Sequence, residues 1–171
     1  MTRGWAIGYI GVVLAVVAGV LHAALAPIIV IGGVKPNLVL AGAVVVTSRL
    51  GLMPGSAWAF VAGLVANLLG PQPLGSVPLT MLVVTALTAG LGRLLARMRW
   101  LHVVASALVG SIVAELFNLL VARMLGHPVD GAVPAALILT AALVNAALAA
   151  LIALPARLWI AARAPEERSA L

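Results

Sequence analysis

The chain has 171 residues, of which 64% are hydrophobic and only 8% are charged, and its mean hydropathy is +1.25. About a quarter of the residues of a water-soluble domain are charged, so this composition excludes a soluble globular fold and predicts an integral membrane protein. The net charge of +6 does not indicate nucleic-acid binding, because the basic residues flank apolar runs and do not form a basic face. The lack of cysteine excludes disulfides and thiolate metal sites.

The first apolar run, residues 5–25, follows Arg3 and resembles the start of a signal peptide. Its length of about 21 residues exceeds the roughly 7 to 15 residues of a signal-peptide core and is enough to cross a hydrocarbon layer of about 30 Å. We therefore expect this run to be retained as the first transmembrane helix.

The second apolar run, residues 36–48, is short for a membrane span, because a helix of this length covers only about 20 Å. By its length alone, a helix of about 20 Å does not cross a hydrocarbon layer of about 30 Å. We expect a short second helix that is either shielded by its neighbours or extended by a snorkelling Arg49.

The uncharged stretch between Arg49 and Arg93 is interrupted at residues 70–76 by prolines and glycines. These residues oppose a continuous helix, so the stretch predicts a third and a fourth helix joined by a turn. Pro54 and Pro78 fall near the predicted starts of these helices, where the missing amide hydrogen of proline costs little.

The last two helices are predicted at residues 101–121 and 134–154, each about the length of one span. Residues 163–171 carry mixed charges and a proline, which is typical of a flexible end. We expect one transmembrane domain over residues 1–162, followed by a flexible cytoplasmic tail over residues 163–171.

The positive charges predict the orientation of this bundle. With six helices and the N-terminus inside, eight of the ten basic residues lie on the cytoplasmic side, and only Lys35 and Arg123 lie outside. Cytoplasmic segments of membrane proteins collect Lys and Arg in this way. We therefore predict an all-α bundle of six transmembrane helices with both termini in the cytoplasm.

Small residues recur at every fourth position on two predicted helices, so that each set shares one helix face. The set on the first helix is Ala15, Gly19 and Ala23, and the set on the third helix is Gly55, Ala59, Gly63 and Asn67. Faces of small residues let helix backbones approach closely in a membrane. They predict either packing inside the bundle or an interface with a partner helix.

Glu115 is the one acidic residue inside a predicted span, and ionisable groups at that depth are costly and are commonly functional. Asn118 follows one helical turn later, and Asn67 and Asn145 lie on other helices. These side chains are expected to form a buried polar cluster. Three interpretations stay open: a structural cluster, a docking point for a basic or polar group of a partner, and a ligand-binding carboxylate.

The histidines His22, His102 and His127 are not at metal-ligand spacing, and we interpret them as interfacial residues. The sequence also lacks a Ser/His/Asp set, paired carboxylates, a phosphate-binding glycine loop and an HExxH motif. We therefore expect no metal, no cofactor and no enzymatic activity.

A family pattern runs from the second to the fourth predicted helix. Its members in chain order are Pro36, Asn37, Leu38, Gly55, Phe60, Gly63, Leu64, Asn67, Leu74 and Gly75, followed by the arginine-rich residues 93–99. In this pattern the chain resembles the bacterial rod shape-determining membrane protein MreD family. Asn37 and Asn67 stand where the family commonly has aspartate, and they keep hydrogen-bonding capacity without the charge.

The resemblance implies a non-enzymatic member of the cell-elongation machinery, which controls rod shape and peptidoglycan synthesis, in the bacterial cytoplasmic (inner) membrane. Members of the family associate with the single-span protein MreC. Through MreC they are linked to a SEDS-type glycan polymerase, a class B penicillin-binding transpeptidase and the actin-like MreB. We therefore expect a scaffold that acts through helix contacts.

The alternative is transport. Six short helices with both ends in the cytoplasm also describe the substrate-binding component of an energy-coupling factor vitamin transporter, an architecture that MreD-like proteins are thought to share. A vitamin site needs convergent polar and aromatic groups, whereas this chain has seven aromatic residues and few polar residues in its outer loops. A third class, a proton-coupled carrier that uses Glu115, would show repeated broken helices, which the sequence lacks.

Overall fold

The computed structural model describes residues 2–25, 28–126 and 135–168, and the side chains of residues 9–25, 28–98, 100–126 and 135–155. These residues form the six α-helices α1 (Thr2–Leu25), α2 (Leu38–Leu50), α3 (Leu52–Leu69), α4 (Ser76–Leu94), α5 (Arg99–Met124) and α6 (Ala135–Arg168). Within the described ranges the extended pairing is limited to an isolated bridge between Ile31 and Val34. The prediction of six helices in an all-α fold is confirmed.

In the part of the chain that the structure describes, four helices are long and apolar enough to cross a membrane. They are α3, α4, the Trp100–Met124 part of α5 and the Ala135–Pro155 part of α6. The described apolar part of α1, Tyr9–Leu25, and the whole of α2 are shorter. Large apolar side chains cover the outside of the bundle, a surface that would drive aggregation in water. These features are consistent with a multi-pass membrane protein.

The start of α2 is set by Asn37, the N-cap residue. Its Oδ1 accepts a hydrogen bond from the backbone N–H of Leu40 at 2.9 Å, which satisfies one of the free amides of the first turn. The helix has the predicted length of 13 residues, displaced by two positions along the chain. Gly51 follows it with φ +93°, a conformation suited to glycine, and α3 begins at the next residue.

α2 is the central helix of the bundle. The other helices surround it in the order α1, α3, α4, α5 and α6, with each one packed on the next and all five packed on α2. Seven residues of α2 are buried: Val39, Leu40, Ala41, Ala43, Val44, Val45 and Thr47. Its neighbours therefore shield this short helix. Arg49 at its end is exposed and donates a hydrogen bond from its guanidinium to the carbonyl oxygen of Ala153 at 3.4 Å.

The predicted turn at residues 70–76 joins α3 and α4 as an antiparallel hairpin. Pro54 and Pro78 are each the third residue of their helix, so the N–H that proline lacks is one that the helix could not have paired.

α6 continues past the predicted end at residue 154 and past Pro155 to Arg168. It thus includes residues 163–168 of the segment that we expected to be a flexible tail. Ala, Arg and Glu dominate this extension, and all three are strong helix formers.

Candidate functional site

The small-residue face of α1 packs against α3. Gly19 is buried, and a Cβ atom added to it would lie 2.7 Å from the carbonyl oxygen of Ala62 and 2.8 Å from the Cβ atom of Val65. Ala15 on the same face is completely buried, and Ala23 is partly exposed. This face is therefore used for packing within the chain, because glycine lets the backbones of α1 and α3 approach.

The small-residue face of α3 is also internal, and it serves two neighbours. Gly55 lies directly against Thr47 of α2, so that an added Cβ atom would collide with its hydroxyl group. A Cβ atom added to Gly63 would lie 3.0 Å from the Cα atom of Pro78 in α4. Ala59 between them is completely buried. Gly19, Gly55 and Gly63 are therefore covered by neighbouring helices of the chain itself.

Asn67, the last member of that face, holds the turn between α3 and α4. Its Oδ1 accepts a hydrogen bond from the N–H of Gly75 at 2.7 Å, and its Nδ2 donates to the carbonyl oxygen of Gln72 at 3.1 Å. Gly75 has φ +90°, which glycine adopts without strain. The neighbouring motif residue Leu74 is exposed. Asn67 thus replaces backbone hydrogen bonds that the turn lacks.

A chain of hydrogen bonds, here called the asparagine bridge, joins Asn37, Asn145 and Ser111. The backbone N–H of Asn37 donates to Oδ1 of Asn145 at 2.7 Å, and Nδ2 of Asn145 donates to Oγ of Ser111 at 2.8 Å. Asn145 and Ser111 are buried. The bridge therefore links the start of α2 to α6 and α5.

The asparagine bridge gives the backbone at the start of the short helix α2 a hydrogen-bond partner. Asn145 lies ten residues into α6, or about 15 Å along the axis from Ala135. The turn before α2 runs beside this part of α6, since Gly32 and Gly33 lie next to Thr140 and Leu137. Backbone that is not helical inside a membrane needs protein partners for its polar groups. Asn145 supplies one to Asn37.

The expected polar cluster around Glu115 does not form as a single unit. Asn67 bonds within its own turn, and α3 contacts neither α5 nor α6 in the described residues, so Asn67 cannot reach Glu115. Asn145 bonds to Asn37 and Ser111. Asn118 is exposed, and Glu115 is half-buried one turn beyond Ser111 on α5. The expectation was wrong about Asn67, because it assumed contacts that helix order prevents.

Ser111 and the role of Asn37 as a partner of Asn145 were not predicted from the sequence. Ser111 and Glu115 are four residues apart and share one face of α5. This spacing could have predicted that the polar face around Glu115 extends to Ser111. No local signal pairs Asn37 with Asn145, which are separated by 108 positions.

The histidines differ in their surroundings. Nε2 of His102 lies 2.8 Å from the carbonyl oxygen of Thr88, and its ring packs against Gly92, so it joins α5 to α4. His22 is partly buried on α1, and His127 lies outside the described residues. In the described part of the chain, no three His, Asp or Glu side chains come together as a metal site would require.

Two outward-facing features were not predicted, and the first is on α4. Ala86 and Gly90 are four residues apart, and both are exposed. A Cβ atom added to Gly90 would meet no atom within 4 Å. The same helix also exposes Leu79 and Leu94. This is the small-residue spacing that suits close contact between helices, and none of the described residues covers it.

The second feature is a groove of about 330 Å³, here called the α1/α6 groove. It exists because α1 and α6 do not touch in the described residues, although both pack on α2. Its lining is apolar and includes Leu14 and Leu21 of α1, Gly42 and Val46 of α2, and Ile152 of α6. The groove therefore favours a hydrocarbon group over a polar ligand.

The family-pattern residues Phe60 and Leu64 of α3 are exposed on the outside of the bundle, and Pro36 and Leu38 at the start of α2 are partly buried. Comparison of the chain with protein-family models, curated proteins and solved structures finds no match.

Proposed function

We propose that this chain is a non-enzymatic scaffold of the bacterial cell-elongation machinery and binds an MreC-type single-span protein in the cytoplasmic membrane. The proposal starts from the resemblance of residues 36–94 to the MreD family. It is supported by the short connections of the described helices: one residue joins α2 to α3, and the turns on either side of α4 are also short. A chain built in this way acts mainly through helix surfaces.

The pattern residues support a shared architecture, because several of them hold neighbouring helices together. Asn37 caps α2, and Gly63 allows α3 to approach α4. Asn67 and Gly75 close the turn between those two helices. The resemblance therefore involves residues on which the packing of α2, α3 and α4 depends.

The observation that carries the partner site is the exposed pair Ala86 and Gly90. The small residues Gly19, Gly55 and Gly63 of α1 and α3 are covered by helices of the chain itself. The α4 pair would let a partner helix approach its backbone closely, which is how helices associate where lipid supplies no hydrophobic drive. We assign the MreC-type span to this face.

The test is co-purification from mild detergent of the tagged chain with the MreC-type protein of the same bacterium. Gly90→Leu and Ala86→Leu should each reduce the recovered partner at least about fivefold, equivalent to about 1 kcal/mol. Gly11→Leu is the matched control, because Gly11 also has open space around it but lies on α1. Leucine is a much better helix former than glycine and is only slightly worse than alanine, so these exchanges should not unfold the helices.

Failure of the unaltered chain to retain the MreC-type protein would contradict the scaffold function. Full recovery with both α4 variants, or a loss caused by Gly11→Leu alone, would contradict the α4 face and leave the function intact. Melting of each purified variant near the temperature of the unaltered chain shows that a loss comes from the surface and not from misfolding.

Vitamin transport is the competing function, and the neighbouring genes distinguish the two. An MreC-like reading frame beside this one supports elongation, and a pair of ATPase genes supports transport. The apolar lining of the α1/α6 groove is less suited to a polar vitamin, which needs convergent hydrogen-bonding groups.

A further inference from the structure

The floor of the α1/α6 groove ends at a cationic side chain. α2 contributes Leu38, Gly42, Val45 and Val46 to the lining. At 3.6 residues per turn these positions share one face of the helix. Arg49 follows Gly42 by seven residues and returns to within about 20° of its direction, so it lies on the same face. The apolar strip therefore runs directly into a guanidinium group.

Contacts of Arg49 keep this guanidinium beside the groove. Its Nη2 donates to the carbonyl oxygen of Ala153 at 3.4 Å, and Ala153 follows Ile152, which lines the opposite wall. An arginine has five N–H donors, so one long hydrogen bond leaves donors for an anion. Arg49 is exposed and lies three residues before Leu52, the first residue of a full-length span. Basic residues at the end of a span lie near the lipid headgroups, so a phosphate group is a suitable partner for Arg49.

The size of the groove suits a hydrocarbon chain better than a helix. The axis of α2 between Leu38 and Val46 is roughly 12 Å long. All the empty space of the groove, including the part that is open to the outside, is about 760 Å³, which over that length corresponds to a cross-section of about 63 Å². A helix with side chains is at least about 10 Å wide, with a cross-section of about 80 Å². The ring of Trp58, which packs on Gly42, also lines the groove.

We propose that the α1/α6 groove binds one anionic phospholipid, with an acyl chain along Gly42 and Val46 and the phosphate group paired with Arg49. The apolar lining recognises the chain, and the arginine selects the charge of the headgroup. The site is separate from the α4 face, so the isolated chain should bind the lipid without a partner protein.

The test is native mass spectrometry of the full chain, released from detergent micelles in the presence of phosphatidylglycerol or phosphatidylcholine with identical acyl chains. The unaltered chain should bind the first phosphatidylglycerol about fivefold more tightly, as expected for one basic residue at the membrane surface. Arg49→Gln should remove this preference and leave the affinity for phosphatidylcholine unchanged. Val46→Trp should weaken binding of both lipids by filling the groove.

The matched control for charge is Arg93→Gln. Arg93 is exposed at the end of α4, which runs in the same direction as α2, and it does not line the groove. This variant should keep the preference for phosphatidylglycerol. Ala18→Leu fills the groove from the α1 side and replaces Val46→Trp if that variant melts at a lower temperature.

Equal affinity of the unaltered chain for the two lipids would overturn the proposal. The proposal would also be overturned if Arg93→Gln and Arg49→Gln lost the preference for phosphatidylglycerol equally. The selectivity would then come from the general positive charge at the end of the bundle where α2 and α4 finish. A third contrary result would be a folded groove-filling variant that binds both lipids as before and no longer retains the MreC-type protein. In that case the groove would be a site for a partner helix and not for a lipid.

Discussion

Replacing Asn145 with alanine removes both hydrogen bonds of the asparagine bridge. Hydrogen bonds between helices in membranes contribute about 0.6 kcal/mol on average and up to about 1.7 kcal/mol. The loss of both bonds therefore costs about 1 to 3 kcal/mol. The substitution also leaves the partly buried N–H of Asn37 without its partner, which adds about 1 kcal/mol. We expect the free energy of unfolding to fall by about 2 to 4 kcal/mol.

The measurement is reversible unfolding in mixed micelles, followed by circular dichroism as the fraction of denaturing detergent is raised. Asn118→Ala is the matched control, because Asn118 is an exposed asparagine on α5 outside the asparagine bridge. It should change the free energy of unfolding by less than about 0.5 kcal/mol. Combining Ser111→Ala with Asn145→Ala in a double-mutant cycle should give a coupling of about 0.6 to 1.7 kcal/mol.

Two results would refute this reasoning. If Asn145→Ala were no more destabilising than Asn118→Ala, the asparagine bridge would not hold α2 in place. If the double-mutant cycle showed no coupling, the effect of Asn145 would come from packing and not from its bond to Ser111.

The packing glycines and the α3–α4 turn give two further predictions. Gly19→Leu should lower the free energy of unfolding by about 1 to 3 kcal/mol or prevent folding, because the new side chain would collide with α3. Gly11→Leu should be tolerated, since Gly11 has open space around it. Equal unfolding curves for the two variants would show that α1 does not need its close approach to α3. Gly75→Ala should lower the free energy of unfolding by about 1 to 2 kcal/mol because of its positive φ alone, since no atom lies within 4 Å of the added Cβ. Asn67→Ala should lower it by a similar amount, because two hydrogen bonds are lost. Unchanged melting of both variants would contradict the described turn.

Features that depend on nearby residues were predictable from the sequence. The number of helices follows from the lengths of the apolar runs, because each helix satisfies its own backbone hydrogen bonds in lipid. The break at residues 70–76 and the positions of Pro54 and Pro78 follow from the stereochemistry of proline and glycine. The short length of α2 was also readable from the sequence, whereas the N-cap at Asn37 was not recognised.

The roles of small and polar residues were decided by tertiary structure. Gly19 and Gly90 both lie on apolar helices, yet one is pressed against α3 and the other faces outward. Nothing in their local sequence distinguishes them, because the difference is the presence of a neighbouring helix. The same limit led to the expectation that Asn67 would join Glu115.

The sequence by itself determined that this chain forms six apolar helices with a short second member, since hydropathy and helix-breaking residues act over one turn or one span. Only the tertiary structure decided that α2 lies at the centre, that Asn37 meets Asn145 across 108 positions, and that a groove opens between α1 and α6. These contacts depend on the order in which helices pack around one another, and lipid-facing and buried apolar faces look alike in a sequence because both avoid water.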